Sequence, residues 1–165
     1  MKSIYLTRHA KSSWKFKEKR DIERPLKQRG RLNAEDVAKH LKKLGERPDY
    51  FLSSPAERAK QTAAIFMPAF NRDADDLELN DSIYESSVSE MFTILLSLPE
   101  DVHAVMLFGH EPTFSNFTQM LTGKYIEKFF TSGVAKISFP VQQWNEVSEA
   151  SGKLDFFIYP AMIQK

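Results

Sequence analysis

The residues in this chain best able to do chemistry are histidines and arginines. There is no cysteine, which excludes thiolate nucleophiles, thiolate metal sites and disulfides. Of the four histidines, His9 and His110 each come directly after a run of apolar and β-branched residues, and Arg8 adjoins the first of them. Arg58 lies shortly after another such run. A guanidinium is a planar, permanently charged fork that matches phosphate oxygens two at a time, and a second one completes a clamp on a dianion. Two arginines therefore point to a phosphoryl or sulfuryl group. Two imidazoles beside that group can divide the work: one neutral ring attacks phosphorus, and the other, protonated, holds the equatorial oxygens of the transition state. Neighbouring guanidiniums oppose protonation of a histidine and a bound phosphate favours it, so residue types alone leave the proton states open.

These side chains must be gathered by the elements that carry them. Residues 3–7 read as a first strand ending at Arg8-His9, and residues 11–28, with clustered charge, Trp14 and Pro25, as a long loop of the length that is commonly functional. From 30 to 44 the apolar residues Leu32, Val37, Ala38, Leu41 and Leu44 recur at helical spacing, with Gly45 placed to stop the helix. A second strand is expected at 49–52. Ser54-Pro55-Ala56-Glu57 then fits a helix start, with Ser54 as N-cap, Pro55 at the first position and Glu57 closing a capping box. That would set Arg58 in the opening turn, where free N–H groups and the helix dipole favour the same anion. Leu77 and Leu79 suggest a short strand, 88–98 a helix, 103–108 a buried central strand stopping at Gly109-His110, and 112–121 a helix. Alternating runs at 134–139 and 153–159 read as two late strands, antiparallel at one edge of the sheet. Strands alternating with helices make an α/β layered fold, in which ligands bind beyond the carboxyl ends of the strands. Arg8, His9, Arg58 and His110 should therefore converge. His40, on the charged part of the first helix, and His103, which opens a strand, read as structural, and Trp14, Tyr84 and Phe108 as core or rim packing.

Composition narrows the classes. Hydrophobic residues at 42% and charged residues at 27% of 165 positions are ordinary globular usage and fit one domain over residues 1–165. Net charge is +1 overall, but residues 1–60 carry 17 Lys and Arg against 8 Asp and Glu. This basic half can attract an anionic substrate or partner. Its aromatics are not interleaved as a nucleic-acid stacking platform, so no nucleic acid is expected. No run approaches the ~20 apolar residues of a membrane span or the apolar stretch of a signal peptide, so the expectation is a cytoplasmic protein with no membrane association. His9, His110 and Asp81 or Glu85 could superficially ligate a metal, but two arginines in the same place oppose a divalent cation, and metal independence is expected.

Three segments carry a family resemblance. Leu6-Thr7-Arg8-His9-Ala10 resembles the R-H-G signature of the histidine phosphatase superfamily, with Ala10 where glycine is commoner. The stretch Ser53-Ser54-Pro55-Ala56-Glu57-Arg58-Ala59-Lys60-Gln61-Thr62 resembles its S-S-P-x-x-R-A-x-Q-T segment, and Gly109-His110-Glu111-Pro112 its second-histidine segment. Order and spacing agree over nearly the whole chain. The short length, with Arg24-Pro25-Leu26 and Gly30 after the first motif, is most similar to the SixA-like branch of phosphohistidine phosphatases. The resemblance implies a phosphoglycerate mutase-like fold, a three-layer α/β/α sandwich with a mixed, mostly parallel central sheet. It further implies His9 as the phosphorylated nucleophile, a phosphate pocket of Arg8, Arg58 and His110, and no cofactor.

The general acid stays open. Asp81 corresponds to the acid of mutase-like members, Glu85 follows Tyr84 as in SixA-like sequences and is preferred, and a third option is that neither acts, since an imidazole leaving group needs little help once protonated. Arg24 either touches phosphate or holds its loop. The implied substrate is a phosphorylated protein, such as a histidine-containing phosphotransfer domain, or a small phosphate ester. The length leaves no room for large capping insertions, which favours the protein. A non-catalytic phosphate-binding module is the remaining alternative.

Overall fold

A computed structural model of the chain describes residues 1–164. Its centre is a six-stranded sheet formed by β1 (Lys2–Arg8), β2 (Tyr50–Ser53), β3 (Glu78–Leu79), β4 (Ala104–Gly109), β5 (Val134–Phe139) and β6 (Lys153–Ile158). The order across the sheet is β3-β2-β4-β1-β5-β6. The β3-β2, β2-β4 and β4-β1 pairs are parallel, whereas β5 runs antiparallel to both β1 and β6. Alternation along the two central strands builds a core on each face. Ile4, Leu6, Val105 and Leu107 point into one cluster, and Tyr5, Met106 and Phe108 into the other. The first face is covered by α3 (Val88–Leu96) and α4 (Thr113–Thr122), and the second by α1 (Gln28–Lys43), α2 (Glu57–Phe66) and the short α5 (Pro160–Ile163). This is the expected three-layer α/β/α sandwich with a mixed sheet.

Several boundaries differ from the sequence-based expectation, each for a physical reason. The inward stripe of α1 is Gly30, Ala34, Val37, Ala38 and Leu41, while Leu32 and Leu44 are exposed. Small residues on that stripe let the helix lie close: a Cβ on Gly30 would meet the Lys11 carbonyl oxygen at 2.5 Å. Gly45 follows with φ +86°, the left-handed geometry that ends the helix. The expected helix start at Ser54 moves to Glu57, with Ala56 as an N-cap without a side-chain bond. Ser54 Oγ instead accepts the Ala56 N–H two residues on, at 3.1 Å. The loop at 11–28 is not featureless. It holds a 3₁₀ turn at Asp21–Glu23 and an antiparallel bridge between Ser12 and Leu26. Of the residues expected as core or rim packing, Phe108 lies in the core and Trp14, 69% exposed, packs on Arg24 at the surface. Among the described residues, no helix is long and apolar enough to cross a membrane.

Candidate active site

Parallel pairing of the two central strands sets their ends side by side. Arg8 of β1 is in register with Gly109 of β4, and the next residue on each strand is a histidine. The His9 N–H donates to the Gly109 carbonyl at 3.0 Å, and the two imidazole rings lie 5.3 Å apart between centroids. Close approach explains Gly109 itself, since a Cβ there would meet the Phe114 ring at 2.6 Å. On the other side of β4, the Ser54 N–H donates to the Phe108 carbonyl at 3.0 Å. The chain then turns into α2 and presents Arg58 on its first turn, 6.0 Å from the Tyr84 ring, which in turn lies 5.7 Å from the His110 ring.

His9 is 8% exposed, and its Nδ1 lies 2.8 Å from the Ala10 carbonyl oxygen. A carbonyl only accepts, so Nδ1 carries the proton and Nε2 keeps its lone pair. Burial pushes His9 down to about 3, and the charges of His110, Arg58 and Arg8 act in the same direction against the opposing Ala10 bond. His110 is pushed down to about 4, by burial first and then by Arg58, with Asp21 opposing. In the protein alone both rings are therefore neutral at neutral pH. His110 Nε2 lies 2.8 Å from Ser54 Oγ, while its Nδ1 is buried with no partner.

The arginines are fixed at one end and unused at the other. Arg8 Nη1 donates to the Phe129 carbonyl at 2.7 Å. Arg58, 7% exposed, donates from Nη1 to the Asp21 carbonyl at 2.8 Å and from Nη2 to Asp21 Oδ2 at 3.0 Å. The Nε groups of both arginines are buried without a hydrogen-bond partner. Buried donors are almost always paired in folded proteins. Three unpaired buried nitrogens, Arg8 Nε, Arg58 Nε and His110 Nδ1, belong to residues at the carboxyl ends of β1 and β4 and in the first turn of α2. Arg8 is lowered, by burial first and also by the charge of Arg58, as expected of two cations sharing a site.

Asp21 was missed by sequence reasoning and proves central. Its carboxylate also accepts the Tyr84 hydroxyl at 2.6 Å and Arg24 Nε at 3.1 Å. Burial would raise its pKa, but these bonds and the Arg58 charge hold it down to about 2. Arg24 further donates to Ser12 Oγ at 2.7 Å and stacks 3.5 Å above the Trp14 ring, so its donors serve the loop. Thr62 ends the S-S-P-x-x-R-A-x-Q-T segment. Its hydroxyl accepts the Ala10 N–H at 2.9 Å and donates to the Arg58 carbonyl at 2.7 Å, joining the two halves of the site. Gln61 likewise accepts the Leu26 N–H at 2.9 Å. Of the two candidate acids, Glu85 lines a cavity of about 340 Å³ together with Asp21, Arg58, Tyr84 and His110, and Asp81 does not. Among the described residues, no three His, Asp or Glu side chains are grouped to hold a metal ion.

Comparison with known proteins places this arrangement. Residues 4–93 match the profile of the histidine phosphatase superfamily (branch 1), a span that includes Arg8, His9 and Arg58 and stops short of His110. An uncharacterised chloroplast protein of Arabidopsis thaliana is 29% identical over 175 residues, covering 95% of this chain and 77% of that protein. A candidate phosphohistidine phosphatase SixA from Agrobacterium tumefaciens superposes with a TM-score of 0.82 at 29% identity, over 96% of this chain and 98% of that one. A protein histidine phosphatase SixA complexed with tungstate shares the fold, with a TM-score of 0.85 at 21% identity over 98% and 99% of the two chains. More than half of the sequence matches the superfamily profile, and the chain belongs to the histidine phosphatase superfamily.

Proposed function

We propose that this chain is a metal-independent phosphatase that takes a phosphoryl group onto His9 Nε2 and then passes it to water, acting on phosphohistidine in a partner protein. The observation that carries this reading is the His9 tautomer. Donation from Nδ1 to the Ala10 carbonyl at 2.8 Å leaves Nε2 unprotonated, with the His110 ring 5.3 Å away between centroids. In the first step the Nε2–phosphorus bond forms as the substrate's phosphorus–nitrogen bond breaks, and the departing imidazole nitrogen takes a proton from water or from Glu85. In the second, water attacks phosphorus, gives up a proton to solvent and releases Nε2 with inorganic phosphate. Arg8, Arg58 and His110 hold the equatorial oxygens throughout, and His110 gains its proton as the dianion arrives. Arg24 acts through Asp21, which it braces. The name of the Agrobacterium relative supports phosphohistidine as substrate, and the tungstate complex of the SixA structure supports a tetrahedral oxyanion as the bound group.

The test is chemical. Brief incubation with an aryl phosphate followed by denaturation should yield an acid-labile, alkali-stable phosphoenzyme that His9→Ala does not form. No phosphoenzyme in the wild type would make the chain a binding module instead. Chelators should leave turnover intact, and activity abolished by chelation and restored by a divalent metal would overturn the mechanism. Higher kcat/KM for small phosphate esters than for a phosphohistidine-bearing protein would remove the protein substrate from the reading.

A further inference from the structure

The loop after the first motif carries surface that the catalytic reading does not use. Lys11, Lys15, Lys17, Lys19 and Arg20 occur within residues 11–20 against the single acid Glu18, and all of them are exposed. None of the four lysines makes a salt bridge among the described residues. Set among them are Trp14 at 69% exposure and Phe16 at 41%. Exposed tryptophan is uncommon, since the indole is among the most costly side chains to leave in water. Trp14 and Phe16, with Leu26, Lys15 and Lys27, line a hollow of about 500 Å³. The loop is also wired to the reacting centre. Arg24 stacks on Trp14 at 3.5 Å and bonds Asp21 at 3.1 Å, and Asp21 pairs with Arg58 at 3.0 Å. An occupant seated on Trp14 is therefore linked through three side chains, Trp14, Arg24 and Asp21, to the arginine that would hold the phosphoryl group.

We propose that residues 13–20 are the docking surface for an acidic protein that presents the phosphohistidine, with its carboxylates facing Lys15, Lys17 and Lys19 and an apolar side chain seated against Trp14 and Phe16. This rests on the phosphatase reading above and names the chemistry of its partner. A small ester would need only the pocket. A base-stacking role fits less well, because one face of each ring already carries a cation, Arg24 on Trp14 and Lys19 on Phe16 at 5.8 Å. Unpaired lysines around an aromatic hollow suit a protein surface of opposite charge, which gains both steering and an anchor.

The experiment compares wild type, Phe16→Ala and the triple Lys15→Glu, Lys17→Glu, Lys19→Glu variant on two substrates. One is a purified acidic histidine-containing phosphotransfer domain phosphorylated on histidine, and the other is 4-nitrophenyl phosphate. Both variants should lose at least about tenfold in kcat/KM on the domain, the triple variant more at low salt than at high, and stay within about twofold on the aryl phosphate. Equal turnover of the domain by wild type and both variants overturns the docking surface and leaves the phosphatase reading standing. A parallel fall on both substrates also overturns it, because the loop would then be shaping the pocket. Loss of binding to anionic phosphatidylserine vesicles with turnover of the domain unchanged assigns the loop to a membrane instead. A wild-type protein that hydrolyses the aryl phosphate but never the domain removes the protein substrate, and this proposal with it.

Discussion

Lowering the pH from about 7 to about 5 protonates both site histidines in an unfolded chain and neither in the folded one, because burial beside two guanidiniums holds His9 to about 3 and His110 to about 4. Over that interval the unfolded state binds more protons, so stability falls as pH falls. The loss begins near the ordinary histidine value of about 6.5 and amounts to ~1.4 kcal/mol per pH unit per site. At pH 5 that is ~2 kcal/mol for each histidine and ~4 kcal/mol for the pair, a large share of the ~5–15 kcal/mol by which domains are stable. Asp21, held down to about 2 with burial opposing and the Tyr84 and Arg58 contacts prevailing, contributes stability that is present above its unfolded value. That stability is lost only below about pH 4, so the two windows separate. Urea unfolding of wild type and of the His9→Gln, His110→Gln double variant at the two pH values measures the difference. The double variant should lose ~4 kcal/mol less on going to pH 5. Sulfate, a dianion throughout this range, should stabilise the wild type more at pH 5 than at pH 7, since it draws protons onto the rings as it binds, and the double variant should lack that excess. An equal pH dependence in wild type and double variant would refute the assignment of both rings as neutral and buried.

Arg58→Ala should lower kcat/KM for any substrate by about 10²–10³, the scale of removing one preorganised oxyanion donor, and a change under about threefold would take it out of the pocket. Gly30→Ala should destabilise the fold by ~1–3 kcal/mol in urea unfolding, because the added carbon meets the Lys11 backbone at 2.5 Å and cannot be relieved by a rotamer change. An unchanged midpoint would mean that the segment after His9 yields freely. On an alkyl phosphate, Glu85→Gln should lower kcat on the order of 10²-fold while Asp81→Asn stays near wild type. On phosphohistidine both should be nearly silent, and wild-type rates for both variants on the alkyl ester would leave no carboxylate as donor.

The parts of this molecule that could be read from the sequence are those where local pattern and tertiary role agree. Apolar runs that stop abruptly at Arg8-His9 and Gly109-His110 mark strand ends whatever their partners, and Val37, Ala38 and Leu41 with Gly45 mark α1 to within two residues at its start. Leu32 and Leu44 misled because helical spacing alone does not say which of two neighbouring stripes faces the sheet. That choice was made by the need for Gly30 to lie against Lys11. Ser54 misled for the opposite reason. Ser-Pro-Ala-Glu satisfies every local rule for a helix start, yet the hydroxyl has a partner 56 residues away in His110, and that contact belongs to the site rather than to the helix.

Asp21 had no local signal at all. It lies in a loop without periodicity, and its importance comes from Arg58 and Tyr84, 37 and 63 residues away, which only the folded chain brings to it. The proton states of the histidines belong to the same class. Residue types left them balanced between guanidiniums that oppose a proton and a phosphate that favours one. What tips the balance in the protein alone is burial, the largest cause of both downward shifts, and burial is a property of a finished fold. The sequence thus names the titratable groups, while the packing around them decides that Nε2 of His9 keeps its lone pair and that both rings are neutral in the protein alone.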